Sequence, residues 1–529
     1  MSLNRRAFLQ QLGFGVAQAG LLAYLPSRAF AGEPNAPHLV RSLPEAQGVA
    51  SSGILDFLDA VELADLNLHS LMVLRHGKVI AEGWWAPYAP DLKHTLYSLS
   101  KSFTSTAIGM AVQEGRLKVS DKVISFFPKE VPAKVSKNLS ELTVKHLLTM
   151  STGHAKDPTG AVRAPQNTNW VKAFFNEPLD LKPGSQFVYN SAATYMLSAI
   201  IQKLTGQTLL TYLEKRLFEP LDIKGADWET DPAGVCTGGW GLRLKTEDIA
   251  KFGQLYLQKG MWNGKRLIAE SWINDATSFE IQSVGGSRKK EENDWLQGYG
   301  YQFWRCRHDG YRGDGAMGQY CVVIPNQDLV IAVTSETSNM QAIMDNMWDH
   351  ILPAIKGNEL PEDKSNQAKL RQRLGNLALK IPVAENYSSL IPDISGKSFK
   401  IDTNEMNISQ VTFSFSPDAC KVSLENDKGK HDILCGLGKW KDGFTDMSIA
   451  PVKLVPTPVP GETKTRVAAS ATWLERNTLE LTLRYIETAH YEKVRYTFSG
   501  TGVKIEFKKS TSILSGTPDG RPALSGTIA

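Results

Sequence analysis

The sequence changes character on either side of a charged segment that begins at Pro361 and continues to Lys380. Before this segment, stretches with helical spacing of apolar residues alternate with strand-like stretches. After Ile391, short runs of alternating apolar and polar residues follow one another, separated by turn residues. A chain of 529 residues is also longer than one ordinary core. We therefore predict an α+β domain followed by an all-β domain that forms a small barrel or sandwich.

The domain boundaries follow from the same change of character. We divide the chain into an α+β domain at residues 50–355, a linker at 356–390 and a β-domain at 391–512. Leucines at helical spacing in the linker predict a helix that packs on the first domain. Residues 513–529 are rich in glycine, proline, serine and threonine, so we expect a disordered tail there.

The end of the first domain contains three strand-like stretches and a closing helix. The residues from Gly298 to Trp304 alternate in the manner of a strand. The apolar runs Tyr320 to Ile324 and Leu329 to Thr334 are expected to pair in antiparallel fashion, since Pro325 and its neighbours supply a turn. The spacing of apolar residues predicts a helix from Met340 to Ile355.

Residues 1–31 have the features of an export signal. The pair Arg5-Arg6 precedes an apolar run from Leu12 to Leu25, and Ala29-Phe30-Ala31 offers a cleavage site of small residues. The arginine pair with its following apolar residues resembles the twin-arginine signal of bacteria. The apolar run is too short to span a membrane. We therefore expect a periplasmic or secreted protein with no stable membrane span.

The charge balance and the cysteine pattern exclude several function classes. The net charge of +4 falls to about +1 without residues 1–31, and a near-neutral chain is not expected to bind nucleic acid. The five cysteines have no zinc-site spacing, and their odd number does not indicate a disulfide framework. We predict neither a metal nor another cofactor.

Two of the cysteines, Cys420 and Cys435, lie at equal distances from a predicted hairpin turn near Asp427-Lys428-Gly429. If the two strands pair symmetrically, these residues face each other at a distance that a disulfide could bridge. A twin-arginine substrate folds before export, in a reducing cytosol, so we favour two packed thiols over a disulfide.

The first candidate catalytic residues stand at the start of a predicted helix that ends near Gly115. Apolar residues from Phe103 onward recur at helical spacing, which places Ser98 at the helix N-terminus and Lys101 one turn later on the same face. The positive end of a helix favours the charge that develops near a serine nucleophile, and a desolvated lysine can act as its base. An isolated Ser-x-x-Lys is more often a capping serine followed by an exposed lysine, so other motifs have to decide.

Four further motifs follow in order along the first domain. They are Leu147-Leu148-Thr149-Met150-Ser151-Thr152-Gly153, Tyr189 after Pro183-Gly184, Gly238-Gly239-Trp240-Gly241 before a helix that contains Asp248, and Gly318-Gln319-Tyr320 at the start of a strand. With Ser98-x-x-Lys101, this series resembles the serine β-lactamase and penicillin-binding-protein superfamily. The chain is most similar to the class C-like branch, which includes carboxylesterases and 6-aminohexanoate-dimer hydrolases. The resemblance implies an antiparallel sheet flanked by helices, with the site between the sheet and a helical subdomain.

The resemblance also implies a role for each matching residue. Ser98 would attack an acyl carbon to form an acyl-enzyme that water later releases. Tyr189 and Lys101 would relay the proton, and either of them could be the base. The backbone N–H groups of Ser98 and Ala316 would form the oxyanion hole. The candidates for the substrate pocket are Ser191, Trp170, Asp314 and Gly315.

The sequence departs from the family pattern at two places. The tyrosine motif usually reads Tyr-x-Asn, whereas this chain has Tyr189-Asn190-Ser191. The third motif usually begins with a lysine or histidine, whereas this chain has Gly313-Asp314-Gly315. β-Lactams and peptidoglycan ends carry a carboxylate that such a cation helps to hold, and an acid at Asp314 would repel it. This departure favours ester or amide substrates over β-lactams.

We therefore predict an exported serine hydrolase that cleaves ester or amide bonds in a small-molecule or short-chain substrate. The alternatives are a β-lactamase or D-Ala-directed peptidase, and a catalytically weak protein that binds cell wall or another ligand. For the β-domain we predict a docked domain that stabilises the enzyme or borders its cleft. The alternative there is a flexibly tethered module that binds a cell-wall polymer.

Overall fold

The computed structural model describes residues 39–381, 387–446 and 453–529. The predicted export signal at residues 1–31 lies outside the described residues. None of the helices in the three described ranges combines the length and the apolar character that a membrane-spanning helix requires.

A mixed α+β domain forms the N-terminal part of the described chain, as predicted. Its strands are β1 (Leu68–Arg75), β2 (Lys78–Trp84), β3 (His94–Thr95), β4 (Asp227–Trp228), β5 (Leu242–Leu244), β6 (Met261–Trp262), β7 (Lys265–Arg266), β8 (Trp304–Arg305), β9 (Tyr311–Gly315), β10 (Gln319–Ile324) and β11 (Leu329–Ser335). Its helices are α1 (Ser51–Leu63), α2 (Ser100–Gln113), α3 (Val123–Phe126), α4 (Lys137–Glu141), α5 (Val144–Leu148), α6 (Thr159–Val162), α7 (Trp170–Asn176), α8 (Ser191–Thr205), α9 (Leu209–Leu213), α10 (Thr246–Leu257), α11 (Glu270–Thr277), α12 (Met340–Asn346) and α13 (Leu352–Ala354).

The central sheet of this domain is antiparallel and is covered by helices on both faces. Within the described ranges it has six strands in the order β2-β1-β11-β10-β9-β8. Alternate residues of β1 belong to different cores: Met72 and Leu74 pack with α2 and α10, whereas Leu71 and Val73 pack with α1. Because both faces are buried, β1, β10 and β11 are buried along their whole length. This explains why these strands appear in the sequence as continuous apolar runs.

Two predicted elements near the end of the domain differ from the structure. The stretch from Gly298 to Trp304 is not a strand, and only Trp304 joins the short β8. Its backbone turns at Gln302, which has a left-handed φ of 66°. The closing helix predicted from Met340 to Ile355 is divided, because a π-helical turn at Met347–Ile351 separates α12 from α13.

The linker contains helix α14 (Lys364–Gly375), which packs on the first domain. Leu370 and Leu377 are buried in the same core as α1 and the outer face of β1. The approach to β2 is close, since a Cβ atom on Gly83 would lie 2.6 Å from a methyl group of Leu377. The leucine spacing therefore marks the face of the linker that packs against the first domain.

The second domain is a β-barrel. Its strands are β12 (Ser398–Ile401), β13 (Gln410–Ser416), β14 (Ala419–Asn426), β15 (Gly429–Leu437), β16 (Lys441–Thr445), β17 (Thr465–Glu475), β18 (Thr478–Arg484), β19 (Tyr491–Ser499), β20 (Gly502–Lys509) and β21 (Leu524–Ile528). They follow the order β15-β14-β13-β12-β21-β20-β19-β18-β17-β16, and an additional pairing of β15 with β17 closes the barrel. Two short helices accompany them, α15 (Ile391–Ile394) and α16 (Ser510–Ser515).

The expectation that residues 513–529 are disordered is wrong. Helix α16 ends at Ser515, and β21 pairs with both β12 and β20. Without β21, these two strands would each present an unpaired edge. Gly526 permits the close fit, because a Cβ atom there would lie 2.5 Å from the carbonyl oxygen of Lys400. The small residues that suggested disorder are those a tightly paired closing strand can accommodate.

The β-domain is docked on the first domain by the turn between β18 and β19. Ile486 of this turn is fully buried in the core that surrounds α1. The backbone N–H of Thr95 donates to the carbonyl oxygen of Glu487 at 3.1 Å, and the hydroxyl of Tyr88 donates to that of Thr488 at 3.1 Å. These contacts correspond to the docked arrangement rather than to a free tether.

Cys420 lies directly opposite Cys435 in the β14–β15 pair, and both are buried free thiols. Burial raises the pKa of the Cys435 thiol to about 12, so little thiolate is available for oxidation near neutral pH. We expect alkylation of the denatured, unreduced protein to label all five cysteines, as counted by mass spectrometry. Three labelled thiols would instead indicate one disulfide, and Cys420–Cys435 is the pair that the strand register favours.

Candidate active site

The structure brings Ser98, Lys101 and Ser191 together. The Nζ atom of Lys101 donates to Ser98 Oγ at 3.2 Å, to Ser191 Oγ at 2.9 Å and to the carbonyl oxygen of Gly239 at 2.6 Å. The Lys101 side chain is only 2 % exposed, whereas Ser98 is partly exposed. The nucleophile candidate is therefore accessible to a substrate, and its neighbouring amine is shielded from water.

Because Lys101 is buried, its amine can act as a base near neutral pH. Desolvation of its ammonium lowers the pKa of Lys101 to about 7, and the negative charges of Asp157 and Asp314 only partly oppose this shift. At neutral pH a substantial fraction of this amine is therefore unprotonated. An unprotonated amine at hydrogen-bond distance from Ser98 can accept the hydroxyl proton.

Tyr189 lies beside the same group but keeps its proton. Its ring centroid is 5.1 Å from Lys101 Nζ. Burial raises the pKa of Tyr189 well above its ordinary value, and the hydrogen bond with Ser98 only partly opposes the shift. A phenol in this state can donate a proton or a hydrogen bond to a reacting group.

An aromatic cluster fixes the position of Tyr189. Its ring stacks on Trp304 at a centroid distance of 5.6 Å, and Trp304 in turn packs edge-on against Phe187 and Tyr299. Trp304 is a site residue that the sequence does not single out. The aromatic residues after Gly298 are the available signal, but their alternation favours a strand over an aromatic cluster.

The start of α8 explains why this chain has Tyr189-Asn190-Ser191 where the family pattern is Tyr-x-Asn. Asn190 caps this helix, since its side-chain oxygen accepts from the backbone N–H of Ala193 at 2.9 Å. Its amide nitrogen donates to Thr152 Oγ1 at 3.2 Å. Asn190 is thus committed to the helix end, and the next residue, Ser191, supplies the polar contact to Lys101.

Ser98 lies in a short 3-10 turn, Tyr97–Leu99, directly before α2 rather than on the helix itself. Strand β9 lies against this turn. A Cβ atom on Gly315 would come within 2.1 Å of the carbonyl oxygen of Leu96, so only glycine permits this approach. The two glycines that flank Asp314 therefore bring β9 close to the nucleophile turn.

Ala316 follows Gly315 at the end of β9. Its carbonyl oxygen accepts from Gln319 Nε2 at 3.0 Å, and Gln319 Oε1 accepts from the backbone N–H of Ser335 at 3.2 Å. Gln319 thereby ties the β9–β10 turn to β11. The assignment of the Ala316 N–H to an oxyanion hole stays a prediction, and the turn that carries it is held at the site by these bonds.

Asp314 does not stand alone as a negative charge. It is buried, and its carboxylate accepts from Arg312 Nε at 2.9 Å. Burial raises the pKa of Asp314, while the Arg312 guanidinium opposes this shift. The pair carries little net charge when both groups are ionised, which weakens the argument that Asp314 repels a substrate carboxylate. Arg312 and Asp314 are two residues apart on one strand, so the sequence placed them on the same face.

Trp170 lies behind the site rather than on an open pocket wall. It is 4 % exposed and packs edge-on against Tyr195, with Trp240 on another side at 6.1 Å between ring centroids. Trp240 belongs to the glycine segment whose Gly239 carbonyl accepts from Lys101. Trp170 therefore supports this segment and is a core residue.

Several known proteins are similar to this chain in sequence or in structure. The family model described as Beta-lactamase matches residues 58–356. The 6-aminohexanoate-dimer hydrolase of Paenarthrobacter ureafaciens is 27% identical over 289 residues, which cover 50% of this chain and 72% of that protein. Protein flp of Staphylococcus aureus (strain MW2) is 28% identical over 167 residues, covering 29% of this chain and only 33% of that protein. Among solved structures, "EstCE1, a hydrolase with promiscuous acyltransferase activity" is 16% identical with a TM-score of 0.47, covering 58% of this chain and 99% of that chain.

Proposed function

The chain belongs to the beta-lactamase family of serine hydrolases, and from this premise we propose that it is an exported hydrolase that cleaves ester or amide bonds through an acyl-enzyme on Ser98. The observation that carries the proposal is the buried Lys101 amine, with a pKa near 7, at 3.2 Å from Ser98 Oγ. A capping serine followed by an exposed lysine would show neither the burial nor the contact.

The proposed reaction begins with transfer of the Ser98 hydroxyl proton to Lys101 as the serine oxygen attacks the acyl carbon. The different pKa shifts of the two neighbouring groups favour Lys101 as the base and Tyr189 as a proton donor to the leaving group. The N–H groups of Ser98 and Ala316 stabilise the oxyanion. Lys101 passes its proton to Tyr189, which restores the phenol. Water then attacks the acyl-enzyme, Lys101 accepts the proton of the water, and this proton returns to Ser98 Oγ as the acid is released.

The environment of β9 supports ester or amide substrates over β-lactams. Asp314 and Arg312 form a buried pair, and Arg312 also donates to the carbonyl oxygens of Asp294 and Arg305. This guanidinium is fully buried, and its Nε and Nη1 atoms are engaged by the protein itself, unlike those of a cation that awaits a substrate carboxylate. The similarity to a 6-aminohexanoate-dimer hydrolase supports the same choice. Export is proposed from the sequence of residues 1–31.

We expect the mature protein to hydrolyse short-chain p-nitrophenyl esters and to turn over nitrocefin poorly. A fluorophosphonate probe should label Ser98, as identified by peptide mapping after digestion. The Ser98→Ala variant is the control for both assays. Efficient nitrocefin hydrolysis would favour the β-lactamase alternative, whereas the absence of probe labelling and of ester hydrolysis would favour a binding protein without catalytic activity.

The lowered pKa of Lys101 predicts the pH dependence of the reaction. Because the unprotonated amine is the base, kcat/KM for a neutral ester should rise with pH through an apparent pKa of about 7 and level off above it. A lysine with an ordinary pKa would give a profile that still rises at about pH 9. The measurement is kcat/KM between about pH 5 and pH 9 with a substrate that does not titrate in this range.

A further inference from the structure

A histidine of the β-domain reaches the residue that precedes the nucleophile. His490 lies at the end of the turn between β18 and β19, and its Nε2 atom hydrogen-bonds with the hydroxyl of Tyr97. Its Nδ1 atom lies 2.6 Å from Glu336 Oε1, at the end of β11. His490 and Glu336 are 0 % exposed, and Tyr97 is 5 % exposed. Three separate elements thus meet in one buried chain of hydrogen bonds.

The direction of each of these hydrogen bonds follows from the chemistry of the groups that form it. A carboxylate only accepts, so the Nδ1–H of His490 donates to Glu336 and the Nε2 atom is left to accept from Tyr97. Burial raises the pKa of Tyr97 well above its ordinary value, so its hydroxyl keeps the proton that it donates. The backbone N–H of Leu454, from the β16–β17 connection, donates to the same hydroxyl oxygen at 3.4 Å.

His490 and Glu336 are themselves held in place by further hydrogen bonds. The backbone N–H of His490 donates to Thr488 Oγ1 at 3.0 Å, and the hydroxyl of Ser510 lies 3.3 Å from its Nδ1 atom. The backbone of Glu336 exchanges two hydrogen bonds with Asn67, at 3.0 and 3.1 Å. A histidine with both ring nitrogens engaged has a fixed ring orientation.

Tyr97 needs such an anchor because of its backbone. Its φ is 46°, in the left-handed region that residues with a large side chain rarely occupy. A strained conformation of this kind persists only when its surroundings hold it. Relaxation of Tyr97 would rotate the next residue, Ser98, and lengthen the 3.2 Å contact between its Oγ atom and Lys101.

We propose that Glu336, His490 and Tyr97 form a positioning chain through which the β-domain holds Ser98 in its reactive orientation. The inference rests on the proposed function, in which Ser98 is the nucleophile. His490 and Glu336 are positioning residues, because they act through Tyr97 and not on the substrate. The β-domain therefore contributes to the geometry of the active site.

The test compares two tyrosines of the same domain interface. Tyr97→Phe removes the hydroxyl that bonds to His490, and Tyr88→Phe removes the hydroxyl that donates to the Thr488 carbonyl oxygen. We expect kcat for a p-nitrophenyl ester to fall about tenfold in the first variant, with little change in KM, because small misplacements of reacting groups slow the chemical step. We expect the second variant to keep kcat within about twofold, since it leaves the Ser98 turn intact.

Rescue separates positioning from a loss of stability. His490→Ala should lower kcat at least as far as Tyr97→Phe, and His490→Gln should recover part of it by offering a polar atom to Tyr97. Equal kcat values in the Tyr97 and Tyr88 variants, or a glutamine variant no faster than the alanine variant at equal Tm, would overturn the inference.

Fluorophosphonate labelling of the wild-type Ser98 shows whether the proposed function holds. Absence of labelling in the wild type removes that function and this inference together.

Discussion

Replacing Ser98 with alanine should lower ester hydrolysis by a factor of about 10³ or more. The substitution removes the oxygen that would form the acyl bond, while it leaves the buried Lys101 and the helix behind it in place. The remaining rate would come from substrate binding and from the N–H groups at the oxyanion position. Steady-state hydrolysis of a p-nitrophenyl ester and fluorophosphonate labelling both measure this loss.

Lys101→Ala should lose most of the activity as well, also by about 10³-fold, and Tyr189→Phe should lose about as much on an alkyl ester or an amide, whose leaving group needs the proton that Tyr189 donates. Their effects should be far from additive with that of Ser98→Ala, because in the proposed reaction the three side chains act in the same acylation step. A double variant that lacks Ser98 and Lys101 should therefore be no slower than Ser98→Ala alone.

The matched control is Ser105→Ala. Ser105 lies in the same helix as Lys101, is equally buried, and its hydroxyl has no hydrogen-bond partner among the described residues. Removal of this hydroxyl should leave the rate unchanged and change the free energy of unfolding little. Normal turnover by Ser98→Ala would refute the assignment of the nucleophile. Equal losses in the two alanine variants would attribute the effect to packing of the helix.

The parts of the site that the sequence predicts are those encoded by local spacing. Ser98 and Lys101 are three residues apart, so the 3-10 turn and the first turn of α2 place them on one face. The proline-glycine turn before Tyr189 and the glycines around Asp314 are likewise visible without a fold. The exchange of roles between Asn190 and Ser191 was not predictable, because it depends on which of the two residues caps α8.

The sequence alone does not predict contacts between distant parts of the chain. Tyr97 and His490 are 393 residues apart, and nothing in the pattern around either residue indicates the other. Gln302 shows a similar limit: its side-chain amide accepts from Thr194 and donates to two carbonyl oxygens of α5, and these bonds hold a turn where alternation suggested a strand. A single alternating heptapeptide does not distinguish these outcomes. The closing strand β21 was missed because its partners, not its composition, stabilise it.

Removal of the β-domain should cost the hydrolase domain its solubility or most of its stability. A chain that ends at Lys380 keeps α14 but exposes the surface that Ile486 and Ala468 cover in the full protein. It also loses the partners of Thr95 and Tyr88. An apolar surface of this kind promotes aggregation when it is exposed. We expect the fragment to aggregate or to melt well below the full chain, as measured by size-exclusion chromatography and thermal unfolding.

A single substitution tests the same interface in the intact chain. Ile486→Asp places a carboxylate in a fully buried apolar site between the two domains, which should lower the free energy of unfolding by about 4 kcal/mol or more, or force the domains apart. Leu434→Asp is its matched control, because Leu434 is an aliphatic residue of the same barrel that is 44% exposed. That change should alter stability by no more than about 0.5 kcal/mol.

Because the Ser98 turn is anchored by His490, undocking should also lower ester hydrolysis. A tethered module predicts that both aspartate variants and the truncated chain keep the ester hydrolysis of the full protein, and that result would show that docking has no part in the activity.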